Sequence, residues 1–207
     1  MRAHIANDGD IRIGPVVPVA GASGRMRPGV SLMRRLTEHK APAGENSLWG
    51  WSRQISPFKV VRNFFVIWFC RYCPSLRLKN ALYRTIGMKV GRGVAAGLCA
   101  TFDVFFPELI TLEDRVIIGY NAVILCHEFL ADRWRTGPVV IGADALVGAN
   151  STILAGVQIG AGASISAMSL VNSDIPAGAF AGGVPARIIE PHAKEAATTL
   201  LEGGDGK

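Results

Sequence analysis

An aliphatic side chain returns every six residues along the chain, at Ile141, Val147, Ile153, Ile159, Ile165 and Val171. A small residue often follows, as in Ile141-Gly142, Val147-Gly148 and Ile159-Gly160. The same beat runs through Leu112, Ile118 and Ile124, and more weakly at Val90. A six-residue period fits neither a helix, at about 3.6 residues per turn, nor a lone strand, at about 2. It fits a parallel β-helix, in which each hexapeptide supplies a short strand and a turn and three hexapeptides close a triangular coil. The aliphatic side chain points inward and stacks on its copies above and below. A single coil cannot bury its inner face, so stacking creates the core.

The 207 residues make one domain with appendages, or two small domains. Residues 1–57 read as a basic, largely irregular extension, 58–89 as a helical cap, 90–189 as the β-helix and 190–207 as a tail with a short helix from Ala193 to Leu201. The rhythm slips at Phe105-Phe106-Pro107 and breaks again from Glu128 to Gly137, which reads as a loop extruded from the coil. Residues 1–92 carry sixteen Lys/Arg against four Asp/Glu, whereas 93–207 carry six against twelve. Such a basic half suits an anionic partner or is simply a solvated extension. No apolar run is long enough to span a membrane, and the first thirty residues lack the order of a secretory signal. The four Cys have no disulfide-framework spacing, so a reduced, cytoplasmic protein is expected.

Residues 58–70 are rich in Phe and Trp, and Val61, Phe64, Phe65, Trp68 and Phe69 fall on one helix face. A second helix holds Leu76, Leu78, Leu82, Tyr83 and Ile86 and closes at Gly87. Two readings stand for the pair. They cap the first coil, as a solenoid end requires. Alternatively, residues 58–73 make peripheral contact with the inner membrane face, with Arg and Lys on lipid phosphates. Nucleic acid is not expected as a partner, because the aromatics cluster apart from the charges.

His127 is the only His within the repeat and stands just before the extruded loop. Imidazole suits proton transfer near neutral pH. Cys126 is its neighbour, but adjacent strand residues face opposite ways, so a buried structural Cys is expected there. One His in the coil argues against a metal site, which wants about three protein ligands.

The hexapeptide beat, the His before an extruded loop and the ending Gly182-Gly183-Val184-Pro185-Ala186-Arg187 together resemble the hexapeptide-repeat acyltransferases, most closely the maltose, galactoside and capsule-sugar O-acetyltransferases. The match covers Val90 to Ile189. The resemblance implies an all-β solenoid, a left-handed parallel β-helix, assembled as a homotrimer with acetyl-CoA between neighbouring solenoids. The left hand comes from the resemblance alone. It also implies direct acetyl transfer to a hydroxyl, less readily an amine, of a sugar or glycan precursor, with no metal. His127 would be the general base. Glu128 or Asp132 would orient it, and a backbone N–H would meet the oxyanion. Asp103, in Phe102-Asp103, matches an acceptor-side residue. Ala149 and Ala167 match positions whose backbone lies against the pantetheine, Asn172 and Ser173 a polar pair, and Arg187 a basic residue that reaches a cofactor phosphate. Ser173 stands where the family often has Lys, and Glu190 where it often has a second basic residue. Arg133 and Arg135 of a neighbouring subunit would supply the missing charge. The rival readings are a non-catalytic structural or interaction solenoid and a γ-type carbonic anhydrase.

Overall fold

The computed structural model describes residues 34–41 and 44–189. The helix expected from Ala193 to Leu201, Glu190 and most of the N-terminal extension lie outside the described residues. Within them, short strands wind into a left-handed parallel β-helix with three faces. The first face stacks Lys89–Val90, Ile110–Leu112, Val139–Ile141 and Gln158–Ile159. The second stacks Ala95–Ala96, Ile117–Ile118, Leu146–Val147, Ser164–Ile165 and Phe180–Gly183, closed by the antiparallel Ala186–Ile188. The third stacks Thr101–Phe102, Val123–Ile124, Thr152–Ile153 and Leu170–Val171.

The six-residue beat becomes three inner columns. Leu112, Ile141 and Ile159 are in register on the first face, Ile118, Val147 and Ile165 on the second, and Ile124, Ile153 and Val171 on the third. All are at most 1% exposed. Their strand neighbours point outward, as alternation demands. A methylene removed from such a column leaves a gap that the coils above and below cannot close. Ile153→Val should therefore lower stability by about 1 kcal/mol, read from the urea midpoint at unchanged slope.

Coil corners need tight backbone. Asn121 and Asn150 sit there at φ 53° and 58°, in the left-handed region that Asn tolerates. Asn121 Nδ2 donates to Asn150 Oδ1 at 2.9 Å, linking two coils. At Gly148 a Cβ would lie 2.4 Å from the Ala167 nitrogen, so only Gly allows the corners to stack.

Two helices cover the open end of the solenoid. Helix α1 (Pro57–Tyr72) starts with Pro at its first turn, and α2 (Leu76–Thr85) is capped by Ser75, whose hydroxyl accepts from the Leu78 N–H. The face of α1 turned to the coil is not the Phe/Trp face. Val60, Asn63, Ile67 and Cys70 are buried, while Val61, Phe64, Phe65, Trp68 and Phe69 are exposed. The reason lies in the coil's hydrogen bonding. N–H groups of one coil donate to carbonyls of the next, as Ala95 to Val116 and Gly97 to Ile118. The first coil has no predecessor, so its carbonyls need donors from elsewhere. Asn80 Nδ2 donates to the Val94 oxygen at 2.8 Å, Lys79 Nζ to Ala96 at 2.6 Å, Asn63 Nδ2 to Val104 at 2.9 Å and Arg84 to Val90. Asn63, Asn80 and Lys79 are buried for this purpose.

The segment extruded from the coil is a hairpin of His127–Phe129 and Arg133–Thr136. The strand Thr37–Lys40 adds to its outer edge, antiparallel. Thr37–Lys40 and a 3₁₀ turn at Trp51–Arg53 are ordered pieces within the extension expected to be largely irregular. The strand exists because the hairpin edge offers it backbone partners, not because its own pattern calls for one. Arg35 anchors its start, pairing with Asp174 and donating its N–H to the Gly156 oxygen at 3.0 Å. Gly156 has φ 80°, and a Cβ there would press on the Arg35 backbone.

Candidate functional site

Phe102 and Ile124 are paired across the third face, so the residues that leave these two strands meet one above the other. Asp103 thus comes under Cys126 and His127. Its carboxylate is fully enclosed. Oδ2 accepts from the Cys126 N–H at 2.6 Å and contacts His127 Nδ1 at 2.5 Å, while Oδ1 accepts from the Phe105 and Phe106 N–H groups at 2.8 and 3.0 Å. Burial pushes this carboxyl up, but the His127 hydrogen bond and charge, with the Cys126 and Phe106 N–H groups, outweigh it and hold the group below its usual value. An ionised carboxylate only accepts, so in the neutral ring Nδ1 carries the hydrogen and Nε2 keeps its lone pair. An imidazole held this way can take a proton at Nε2.

These contacts correct the expectation that Asp103 faces an acceptor. Its side chain is 0% exposed, against 14% for His127, and both oxygens are engaged. They also correct the assignment of Glu128 as the residue that orients the imidazole. Glu128 pairs with Arg34, and Asp132 faces Arg133 at the hairpin tip. Strand alternation turns Glu128 away from its neighbour. Cys126 is fully buried, and burial pushes its thiol up.

Aromatic rings surround the imidazole. Phe105 and Phe129 lie 4.9 and 4.8 Å from His127, centroid to centroid. Phe106 stacks on Trp134 at 5.5 Å, and Trp134 on His39 at 4.0 Å. Burial lowers the His39 pKa. Reading the sequence for chemistry missed this wall. Its one signal was the Phe105-Phe106 pair at the slip in the six-residue beat.

The other expected site residues form two groups. Ala149 and Ala167 follow Val147 and Ile165 at matching steps of the second face, and the Met168 N–H donates to the Ala149 oxygen at 2.9 Å. Arg187 pairs with Gly182 at the end of the same face and is exposed. Asn172 and Ser173 instead leave the third face, on the corner that also carries Asp103 and His127. Within one chain, Ala149, Ala167 and Arg187 line one corner of the coil and His127 another. Arg133 and Arg135 both lie against Glu38 of the added strand.

The family described as bacterial transferase hexapeptide (six repeats) matches residues 138–173. "Putative acetyltransferase YvoF" of Bacillus subtilis (strain 168) is 48% identical over 156 residues, 75% of this chain and 91% of that protein. Among solved structures, a hexapeptide-repeat-containing acetyltransferase of Vibrio cholerae complexed with acetyl coenzyme A superposes with a TM-score of 0.54 at 23% identity, covering 68% of this chain and 90% of the other. A maltose O-acetyltransferase of Clostridium difficile superposes at 0.52 and 18% identity, over 64% and 86%. These two structures share the fold.

Proposed function

The chain belongs to the hexapeptide-repeat acetyltransferases, and from that premise we propose that it moves an acetyl group from acetyl-CoA to a hydroxyl of a sugar or glycan precursor, with His127 as general base. The observation that carries the reading is the buried Asp103 carboxylate on His127 Nδ1 at 2.5 Å, which leaves Nε2 free to accept a proton. His127 takes the proton of the acceptor hydroxyl as that oxygen bonds to the acyl carbon. It then returns the proton to the departing sulfur, so no acyl-enzyme forms. Asp103 is the positioning residue. It fixes the tautomer and steadies the imidazolium without itself taking a proton. Phe105 and Phe129 restrict the ring and offer apolar faces to the C–H side of a sugar.

Acetyl-CoA fits the corner lined by Ala149 and Ala167, where small side chains leave the backbone approachable, with the exposed Arg187, which also donates to the Ala186 carbonyl, in reach of a phosphate. That corner is not the His127 corner, and this separation supports a homotrimer in which each site takes one corner from each of two chains. The reaction would run in the cytoplasm. Calorimetric titration of acetyl-CoA into the purified protein tests the reading. Saturable binding, with about one site per chain, is expected. No binding up to millimolar concentration would overturn it.

A further inference from the structure

Helix α1 is apolar on two opposite sides. Val60, Ile67 and Cys70, with Asn63, face the coil. Phe58, Val61, Phe65, Trp68 and Tyr72, spaced by three and four residues, make the opposite stripe, with Phe64 and Phe69 at its margins. These side chains are about half exposed or more: Phe58 is 81%, Phe65 61% and Trp68 54% exposed. Seven such side chains present roughly 600–700 Å² of apolar surface, more than isolated soluble chains usually show in one patch. A helix that is hydrophobic all round is covered on both sides.

Charge selects what covers it. Of the nine Lys/Arg between residues 46 and 107, Lys59 pairs with Glu108, Arg53 with Glu45 and Arg92 with Asp114, and Lys79 is buried, while Arg62 and Arg77 have no acidic partner among the described residues. Arg62 stands exposed beside the aromatic stripe, and Arg77 is exposed at the start of α2 with Leu76 and Leu78. Trp and Tyr on an apolar stripe with Arg at its flank match a bilayer's interface, where rings sit among headgroups and cations meet phosphates. Exposed Arg62 and Arg77 on both copies disfavour a second subunit against this face. No described helix is long and apolar enough to cross a membrane, and α1, at 16 residues or about 24 Å, suits lying flat.

We propose that the outer face of α1 docks the protein on an anionic lipid surface. The inference rests on α1 and its surroundings and stands apart from the catalytic reading. Its consequence for the site is one of distance. Asn63, on the inner side of α1, holds the Val104 carbonyl at 2.9 Å, next to the Phe105-Phe106 wall. The docked surface is then about one helix diameter, ~10 Å, from that wall.

The test uses the full chain with vesicles of phosphatidylcholine alone or mixed with phosphatidylglycerol, followed by flotation. Binding to the mixed vesicles is expected, weakening as salt is added. Phe65→Ser/Trp68→Ser should reduce that binding at least about tenfold. Thermal unfolding and acetyl-CoA titration should stay as in the unsubstituted chain, because these exposed side chains lie outside the buried core. Arg62→Glu, which keeps the aromatic face, should reduce binding about fivefold. Three outcomes would overturn the proposal: no binding to either vesicle, binding that survives both variants, or a change in oligomeric state caused by Phe65→Ser/Trp68→Ser, which would make the face a contact between copies.

Discussion

Replacing His127 with alanine should lower kcat by about 10²–10⁴-fold, the usual worth of a positioned general base, while acetyl-CoA binding stays unchanged. The split follows from the geometry. His127 lies on the corner of the coil that carries Asp103, whereas Ala149, Ala167 and Arg187 line another. Losing the imidazole removes the proton acceptor and leaves the proposed donor groove intact. The fold should tolerate the change, because the Asp103 carboxylate keeps its three backbone donors at Cys126, Phe105 and Phe106. A stability loss of about 1.5–3 kcal/mol, one hydrogen bond to a charged group, is expected. Steady-state rates with any sugar that supports turnover, beside a donor titration, measure both quantities. A rate equal to that of the unsubstituted chain would remove His127 from the mechanism.

Asp103 should be more costly still, because it serves fold and chemistry together. Asp103→Ala leaves three enclosed N–H groups and the imidazole without an acceptor. At about 1–3 kcal/mol for each orphaned group, the total is a large part of the roughly 5–15 kcal/mol that a domain has in hand. Asp103→Asn separates the two roles. Its oxygen can serve either the Phe105 and Phe106 N–H groups or the His127 side, not both. With the amide nitrogen toward His127, Nδ1 becomes the acceptor and the hydrogen moves to Nε2, where the base needs a lone pair. Loss of kcat by about 10²-fold or more, with KM for the donor unchanged, is the expected result. The pH dependence of stability has a definite sign. The folded carboxyl sits below its unfolded value, so between the two the unfolded chain binds more protons and stability rises with pH. The contribution is complete above the ordinary carboxylate range and is lost as pH falls through the folded value. Urea midpoints taken through the acid range should fall less steeply for Asp103→Asn. An unchanged acid limb would argue against this carboxylate as its source.

The residues that the sequence misassigned or left unassigned share a feature: their partners are distant along the chain and adjacent only once the coils stack. Glu128 is next to His127 in sequence, yet alternation along a strand separates them and Arg34 meets it from 94 residues away. Asp103 is 24 residues from His127, and the stacking of the third face puts them in contact. Thr37–Lys40 has no hydropathic alternation, and its strand follows from the free edge of the hairpin. Hydropathy marked the Phe/Trp side of α1 but left open whether it meets the coil, and the first coil's unpaired carbonyls decided that by taking Asn63, Lys79 and Asn80. The departure from rhythm at Phe105-Phe106 was visible but had no meaning until those rings lay beside the imidazole.

The six-residue beat by itself determined the solenoid and the identity of its inner columns, since a period of six on three faces returns each aliphatic residue to the same inward direction. It also singled out His127 and the break that follows it. Only the tertiary structure decided which carboxylate holds that imidazole, which side of α1 meets the coil and what closes the wall around the site. Those choices turn on satisfying buried donors and acceptors between coils and along exposed edges, and no local pattern records which distant group will supply the missing partner.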